Sequence, residues 1–588
     1  MLTLLPPEVL ENICQKLNGR DLKCLSLTSR WVHKAAFRQI WRSITIFPRS
    51  PRERHCITPM GPPQQCLQST RELRFEADAM HCVHAHDCLG YMGKWLDKDP
   101  LMHDTWEERS DSFGYERGRL VRVKYECLAQ RTMAMLKRFE DGQLEVFDWR
   151  APMGCHFSNI SNLVQTNAAH LEELEVDLQS WSRQWEDRET RVVRRTDSDK
   201  WDKTPASTML AREMFGLDHD PAARTWFPKM RSLKLARVPL RDETTKKTVT
   251  AASINLAGLT SLTLIMCPYW TLLLQDMAQY PTPVQVKSFE ILDFYLQTPN
   301  VTSIKKVTTI TDFLDSFDGL EEVFISHCGP TPVLEFWKHL ARHASTLKAF
   351  VHHQRITDLD DELIISRKGK DVADPGISLT DRAIIRQDPT RNSLSTLNLE
   401  FLGLTCAPEY LREILLPFVS KGSLKVLHIR QTGANVGTYS PCVFDNALDM
   451  RITQAEQNGE TIENYTNGGH VLDSEPKQNS ISLRDTSTAI RERREWKTPP
   501  LRQSSRDFAD WVFGPDGVTS LEYIVAGDLS HGSRYYERNA LICRSTGGGR
   551  RYRVISQKAG GKEWIDVKSR FGRALEACPV ENIVPEYN

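Results

Sequence analysis

The 588 residues carry 76 Lys and Arg against 76 Asp and Glu, so no global field draws the chain to nucleic acid or to an anionic membrane. A length of this order holds roughly three or four domains or one long repeat array. No apolar run approaches the ~18 residues of a membrane span, and Met1 to Glu8 lacks a basic leader; a soluble, intracellular protein, cytoplasmic or nuclear, is expected. The 14 cysteines are scattered with no CxxC pair, which argues against a zinc ribbon or a disulfide scaffold.

The chain opens with LPPEVLENICQKLNGRDLKCLSL, residues 5–27. Pro6 and Pro7 suit a helix start, because proline's missing N–H is one the helix does not use. Val9, Leu10, Ile13, Cys14 and Leu17 mark one face of that helix, and Gly19 is expected just past its end. Asp21 is expected to cap a second helix bearing Leu22, Leu25 and, at its end, Leu27; a third should begin near Thr28 or Ser29 and present Trp31, Val32, Ala35 and Ala36. RSITIF then alternates like a strand until Pro48. Helices this short are not expected to enclose a core of their own, so their apolar face should either pack on the rest of the chain or serve a partner.

This stretch, ending in IWRSITI, resembles the F-box, a three-helix module that docks on the Skp-family adaptor of cullin–RING ubiquitin ligases. The matching positions are Leu5, Pro6, Glu8, Leu10, Ile13, Leu17, Leu22, Leu25, Ser29 and Trp41. The family's aromatic, three residues after the serine, falls on Val32 here, and the tryptophan is Trp31 instead. The resemblance implies adaptor binding through Leu5, Pro6, Leu10, Ile13, Leu17, Leu22, Leu25 and Trp41. It covers less than a tenth of the chain.

Downstream, an apolar L-x-x-L-x-L pattern recurs. It starts at Leu144, Leu171, Met230, Leu259, Val286, Leu320, Leu394 and Leu424, with weaker copies at Leu347 and Leu521. Several steps are 27–30 residues, close to the ~20–29 of a leucine-rich repeat. Amphipathic segments such as PTPVLEFWKHLARHASTL lie between the copies. A strand–helix unit cannot bury its own apolar face, so stacking is the expected solution. The fold class is therefore α/β: an F-box over 1–45, then an irregular leucine-rich-repeat solenoid, a horseshoe, over 46–449. Polar insertions are expected near 182–226 and 356–392, and a disordered insertion over 450–507. A last repeat and a C-terminal cap over 508–588 should shield the open end. A generic α/β domain is the plainer alternative.

Chemistry is sparse. The run HCVHAHDC offers His81, Cys82, His84, His86, Asp87 and Cys88 as weak metal candidates, yet no second ligand pair stands at zinc-finger spacing. No HExxH, GxSxG or Rossmann fingerprint occurs. Cys267 and Cys328 fall at the ladder position of the repeat and are expected to be buried. Neither a catalytic residue nor a cofactor is expected. The resemblance implies a substrate-recognition subunit of an SCF-type ligase that binds a protein target on the face between the repeat leucines. Lys234, Thr263, Glu290, Phe324, Asn398, His428 and Arg430 occupy that face. The alternatives are a scaffold acting outside a ligase and a metal-dependent enzyme built on 81–88.

Overall fold

The computed structural model describes residues 5–46, 62–76, 135–152, 157–179, 212–217, 225–242, 245–293, 303–328, 332–355, 377, 379–430, 443–444, 500–530, 539–545 and 551–579. The chain divides into two compact units, Met1–Val286 and Lys287–Asn588. It is a mixed α/β fold in which N-terminal helices precede a strand-rich part.

The first unit begins with α1 (Pro7–Gln15), α2 (Gly19–Ser26) and α3 (Arg30–Ile40). Then follow β1 (Ser43–Ile46), α4 (Gln64–Gln68), β2 (Glu72–Glu76), β3 (Val146–Pro152), α5 (Phe157–Asn167), β4 (Glu173–Gln179), β5 (Ser232–Ala236), β6 (Ser261–Ile265) and α6 (Trp270–Gln279). Each strand pairs in parallel with the next in chain order. Parallel neighbours need a crossover rather than a tight turn, and the amphipathic segments between strands supply several of them.

The second unit repeats the scheme with β7 (Ser288–Leu292), α7 (Ser303–Asp315), β8 (Glu322–Cys328), α8 (Val333–Trp337), β9 (Ala349–Arg355) and α9 (Leu379–Gln387). It continues with β10 (Phe401–Leu404), α10 (Pro408–Val419), β11 (Val426–Arg430), α11 (Gln503–Val512) and β12 (Tyr523–Gly527). β7 to β12 are parallel. β13 (Ala540–Arg544) and β14 (Tyr552–Ser556) then add an antiparallel hairpin, and α12 (Lys562–Glu576) ends the described chain.

The register places the motif residues in rows. In the first unit Phe147, Leu174, Leu233 and Leu262 are successive neighbours, as are Trp149, Val176, Leu235 and Leu264, and all are buried. In the second unit Phe289, Val323, Phe350, Leu402, Leu427 and Ile524 form the matching row. One copy is displaced. The frame in register is Leu399-Leu402-Leu404, not the one starting at Leu394, because Ser393–Thr396 winds into a 3-10 turn capped by Asn392. The copy therefore starts 25 residues before Leu424. Other boundaries move as well: α9 lies inside the expected insertion 356–392, and α11 starts before 508. Most of 450–507 lies outside the described residues.

A polar device recurs at the loops. The N–H of Leu144 donates to Asn167 Oδ1 at 2.7 Å, and that of Leu320 to His343 Nδ1 at 3.4 Å. Asn167 and His343 each stand four residues before the next motif start, Leu171 or Leu347. Both are buried, so the device satisfies a backbone donor that water cannot reach. His343 Nε2 reaches the carbonyl of Leu314 at 3.1 Å, which fixes the tautomer: Nε2 donates and Nδ1 accepts.

Three imidazoles of the second unit are held neutral by burial. His343 lies below its ordinary value, His352 well below it, and His428 is pushed down to about 3. Trp337 Nε1 donates to His352 Nδ1 at 3.0 Å, so the His352 proton sits on Nε2, facing His327 Nε2 at 3.0 Å. A depressed folded value means stability that is present above the unfolded value of about 6.5 and lost as pH falls below it. The urea midpoint is expected to drop between pH 7.5 and pH 5. His343→Asn, which copies Asn167, should hold stability at pH 7.5 and weaken that drop; an unchanged pH dependence would count against the assignment.

Candidate functional site

The three N-terminal helices enclose a small core of their own. Leu10, Cys14, Leu22, Val32, Ala35 and Ala36 form it, with Leu17, Leu25 and Ile40 packed against it. Local sequence explains the corners. Asn18, rather than Asp21, caps α2: its Oδ1 accepts from the N–H groups of Arg20 and Asp21 at 3.0 and 2.9 Å. Gly19 is thus the first residue of α2 and not the end of α1. Ser29 Oγ accepts from Val32 N–H at 3.2 Å and starts α3. Arg38 and Glu11 bridge α3 to α1 at 2.9 Å, and the carbonyl of Trp41 accepts from Thr70 Oγ1 at 2.9 Å.

The residues expected to dock an adaptor have different surroundings in this module. Leu10 and Leu22 are closed inside the module. Leu17 and Leu25 are half-buried against that core, and Leu5, Ile13 and Trp41 are half-buried too; Pro6 is exposed. The large apolar side chains left in water are Leu27 at 86% exposure, Trp31 at 43% and Val9 at 42%. Leu27 caps the C-terminus of α2, and Trp31 sits in the first turn of α3, so the two flank one turn. The sequence placed Leu27 on the second helix with Leu22 and Leu25, but it stands just past the helix end, as its C-cap residue. Trp31 was read with Val32, Ala35 and Ala36 on the third helix; those three are buried, whereas Trp31 faces water.

The strand face assigned to a target divides into two kinds of surface. In the first unit Lys234 is half-exposed and bridges Glu175 at 2.7 Å, while Thr263 is buried. Around Lys234, Arg150 ties Asp148 at 3.2 Å to Glu175 at 3.0 Å, and Arg237 pairs with Asp177. Burial, with Glu175 close by, pushes the Asp148 carboxyl up to about 6. A polar groove of about 340 Å³ opens beside the strand starts, between Arg71, Glu140, His170 and Lys229.

In the second unit Glu290, Phe324, His428 and Arg430 are all buried, so the expectation that they stand open to a target is corrected. The cover is the chain itself. Helix α12 does not shield an end of the ladder; it lies across the strand face. Arg570 bridges Glu522, just before β12, at 2.6 Å, and Phe571 meets Phe401 of β10 at 5.8 Å. Arg573 bridges Glu322 of β8 at 2.9 Å, and the N–H of Cys578 donates to Glu290 of β7 at 2.6 Å. Asn398 is exposed ahead of β10; the face position in register is Gly403. Its missing side chain matters, since a Cβ there would stand 3.5 Å from Arg430 Cδ and 3.0 Å from Val351. Across it Arg430 of β11 reaches His353 of β9 at 3.4 Å.

Cys267 is buried, and its Sγ donates to the carbonyl of Leu235 at 3.2 Å; burial pushes this thiol up to about 12. The Cys328 side chain lies outside the described residues, as do His81, Cys82, His84, His86, Asp87 and Cys88. Among the described residues no group of three or more His, Cys, Asp or Glu side chains is placed to hold a metal ion. Among them, too, no helix is long and apolar enough to cross a membrane.

Residues 2–46 match the F-box-like family. No curated protein matches the chain. The F-box-like domain accounts for the N-terminal module only; F-box domains are typically non-catalytic adaptor modules that bind Skp-family adaptors.

Proposed function

We propose that this chain is the substrate-recognition subunit of an SCF-type E3 ubiquitin ligase, working in the cytoplasm or the nucleus. The F-box-like domain docks a Skp-family adaptor and, through it, a cullin–RING core. The strand–helix units act as leucine-rich repeats that hold a target protein, which is then marked for degradation. The chemistry belongs to other subunits. This chain contributes proximity, raising the local concentration of a target lysine beside the charged conjugating enzyme.

The observation that carries this reading is Leu27, 86% exposed beside Trp31 on a domain of the F-box-like family. Buried apolar anchors dominate protein interfaces, and an exposed pair on a module with its own closed core fits that role. The docking set proposed is accordingly Leu5, Pro6, Val9, Leu27 and Trp31, with the half-buried Ile13 at its margin. Full-length protein mixed with a purified Skp-family adaptor should elute from a sizing column as one complex. Elution of the two as separate species at micromolar concentration would refute the reading.

A further inference from the structure

The face covered by α12 grips the end of the chain largely through main-chain atoms. Two buried side chains reach the strap that follows the helix through its main chain alone. Glu290 accepts the N–H of Cys578 at 2.6 Å, and Arg430 donates to the carbonyl of Ala577 at 2.6 Å. Both groups are main-chain atoms that any peptide carries, and the Cys578 Sγ adds a side-chain contact, donating to the Ile291 carbonyl at 3.7 Å. Around them the surface is acidic and aromatic: Glu322, Phe324 and Phe401. The occupant complements it, with Arg573 lying over the Phe324 ring at 6.0 Å and Phe571 against Phe401.

The helix has two differently held halves. Its proximal half is anchored: Trp564 Nε1 donates to the Ile555 carbonyl at 3.3 Å, Tyr523 donates to Asp566 at 3.0 Å, and Val567 is buried. At Phe571 the backbone leaves helical geometry (φ −130°, ψ 15°), with Gly572 next to it. Beyond this kink Ala574, Leu575, Ala577 and Cys578 are buried, while the Arg573–Glu322 pair is partly open to water, where a pair contributes only modestly. Cys578 is held at φ +53°, a region a side chain disfavours.

We propose that the strand face around Glu290, Glu322, Phe324, Phe401 and Arg430 is a peptide-binding site that residues 571–578 fill in cis. This distal part of α12 and its strap swings away at the kink where the backbone leaves helical geometry. The incoming partner is a basic, phenylalanine-bearing helical segment with an extended tail, carried by the target protein. The proposal deepens the target-recognition reading and rests on it: the repeats hold their target only when their own C-terminal segment yields.

The test uses full-length chains and a fluorescent peptide of residues 562–579. A tethered occupant acts at ~mM effective concentration, so the wild-type chain should bind the peptide weakly. Phe571→Ala with Arg573→Ala loosens the tether's grip, and that chain should bind the peptide at least tenfold more tightly. Adding Glu322→Lys should abolish the gain. A loosened chain that binds no better than wild type, or that still binds after Glu322→Lys, overturns the proposal. Hydrogen exchange on the wild-type chain gives an independent reading. The Cys578 amide should exchange at least tenfold faster than amides of β9 to β11; exchange in one step with those strands means a fixed structural element and overturns it. Adaptor binding by the same samples separates the two readings. Adaptor binding without a peptide gain sinks the cis-occupied site alone, whereas a peptide gain without adaptor binding leaves the site standing and removes the ligase role.

Discussion

Replacing Lys306 by methionine should lower the stability of the second unit by about 3–5 kcal/mol, the usual effect of breaking a buried ion pair from one side. Lys306 Nζ lies 2.8 Å from Asp293 Oδ2, and the two side chains are only 5% and 7% exposed. Lys306 is on α7 and Asp293 follows β7, so the pair fastens a crossover helix to the strand it leaves. The variant keeps the volume and removes the ammonium that faces a buried carboxylate. Adding Asp293→Asn should recover most of the loss, because the remaining amide carries no charge to desolvate. Urea denaturation of the two variants and their combination checks this; independent, additive losses would mean that the pair does not act as a pair.

Trp149→Ala should cost about 3–5 kcal/mol in the first unit, the range for emptying a buried large aromatic site. Trp149 is buried in the row of Val176 and Leu235, and its ring stacks on Phe75 of the neighbouring strand at 4.3 Å. The cavity would open at the middle of a ladder whose rows are already filled, leaving little to collapse into it. Hydrogen exchange at the Val176 and Leu235 amides should accelerate along with the drop in urea midpoint. A loss below 1 kcal/mol would show that this row is not the core of the unit.

Most of the ladder was legible because its signal is repeated. Each strand carries two inward apolar residues and a third at its approach, and the paired register puts the members of nearly every copy side by side. The exception is instructive. The segment LSTLNLEFLGL satisfies the pattern in two overlapping frames, Leu394-Leu397-Leu399 and Leu399-Leu402-Leu404. Apolar spacing cannot choose between them. The backbone does, through the Asn392 side chain, which accepts from the Leu394 N–H at 3.1 Å and winds the first frame into a turn. That slip is also why Asn398 was placed on the strand face and Gly403 was overlooked.

The candidate sites were less legible, for two physical reasons. In the N-terminal module, apolar periodicity marks the residues that pack against the sister helices as well as any that meet a partner. Leu10 and Leu22 are of the first kind, whereas Leu27, read on the same helix as Leu22, is exposed. In the second unit, alternation along a strand tells which residues share a face but not what covers it. The bond from Cys578 to Glu290 spans 288 residues of sequence, beyond the reach of any local pattern.

Exposure separates docking residues from core residues, and the central claim is that Leu27 and Trp31 dock an adaptor. Titration calorimetry of the full-length chain with a purified Skp-family adaptor, run beside thermal melts, tests it most directly. Leu27→Ala with Trp31→Ala should weaken binding by about 2 kcal/mol or more per anchor and leave the melt unchanged. The account is contradicted if the wild-type chain binds no adaptor, or if this double variant binds as tightly as the wild type.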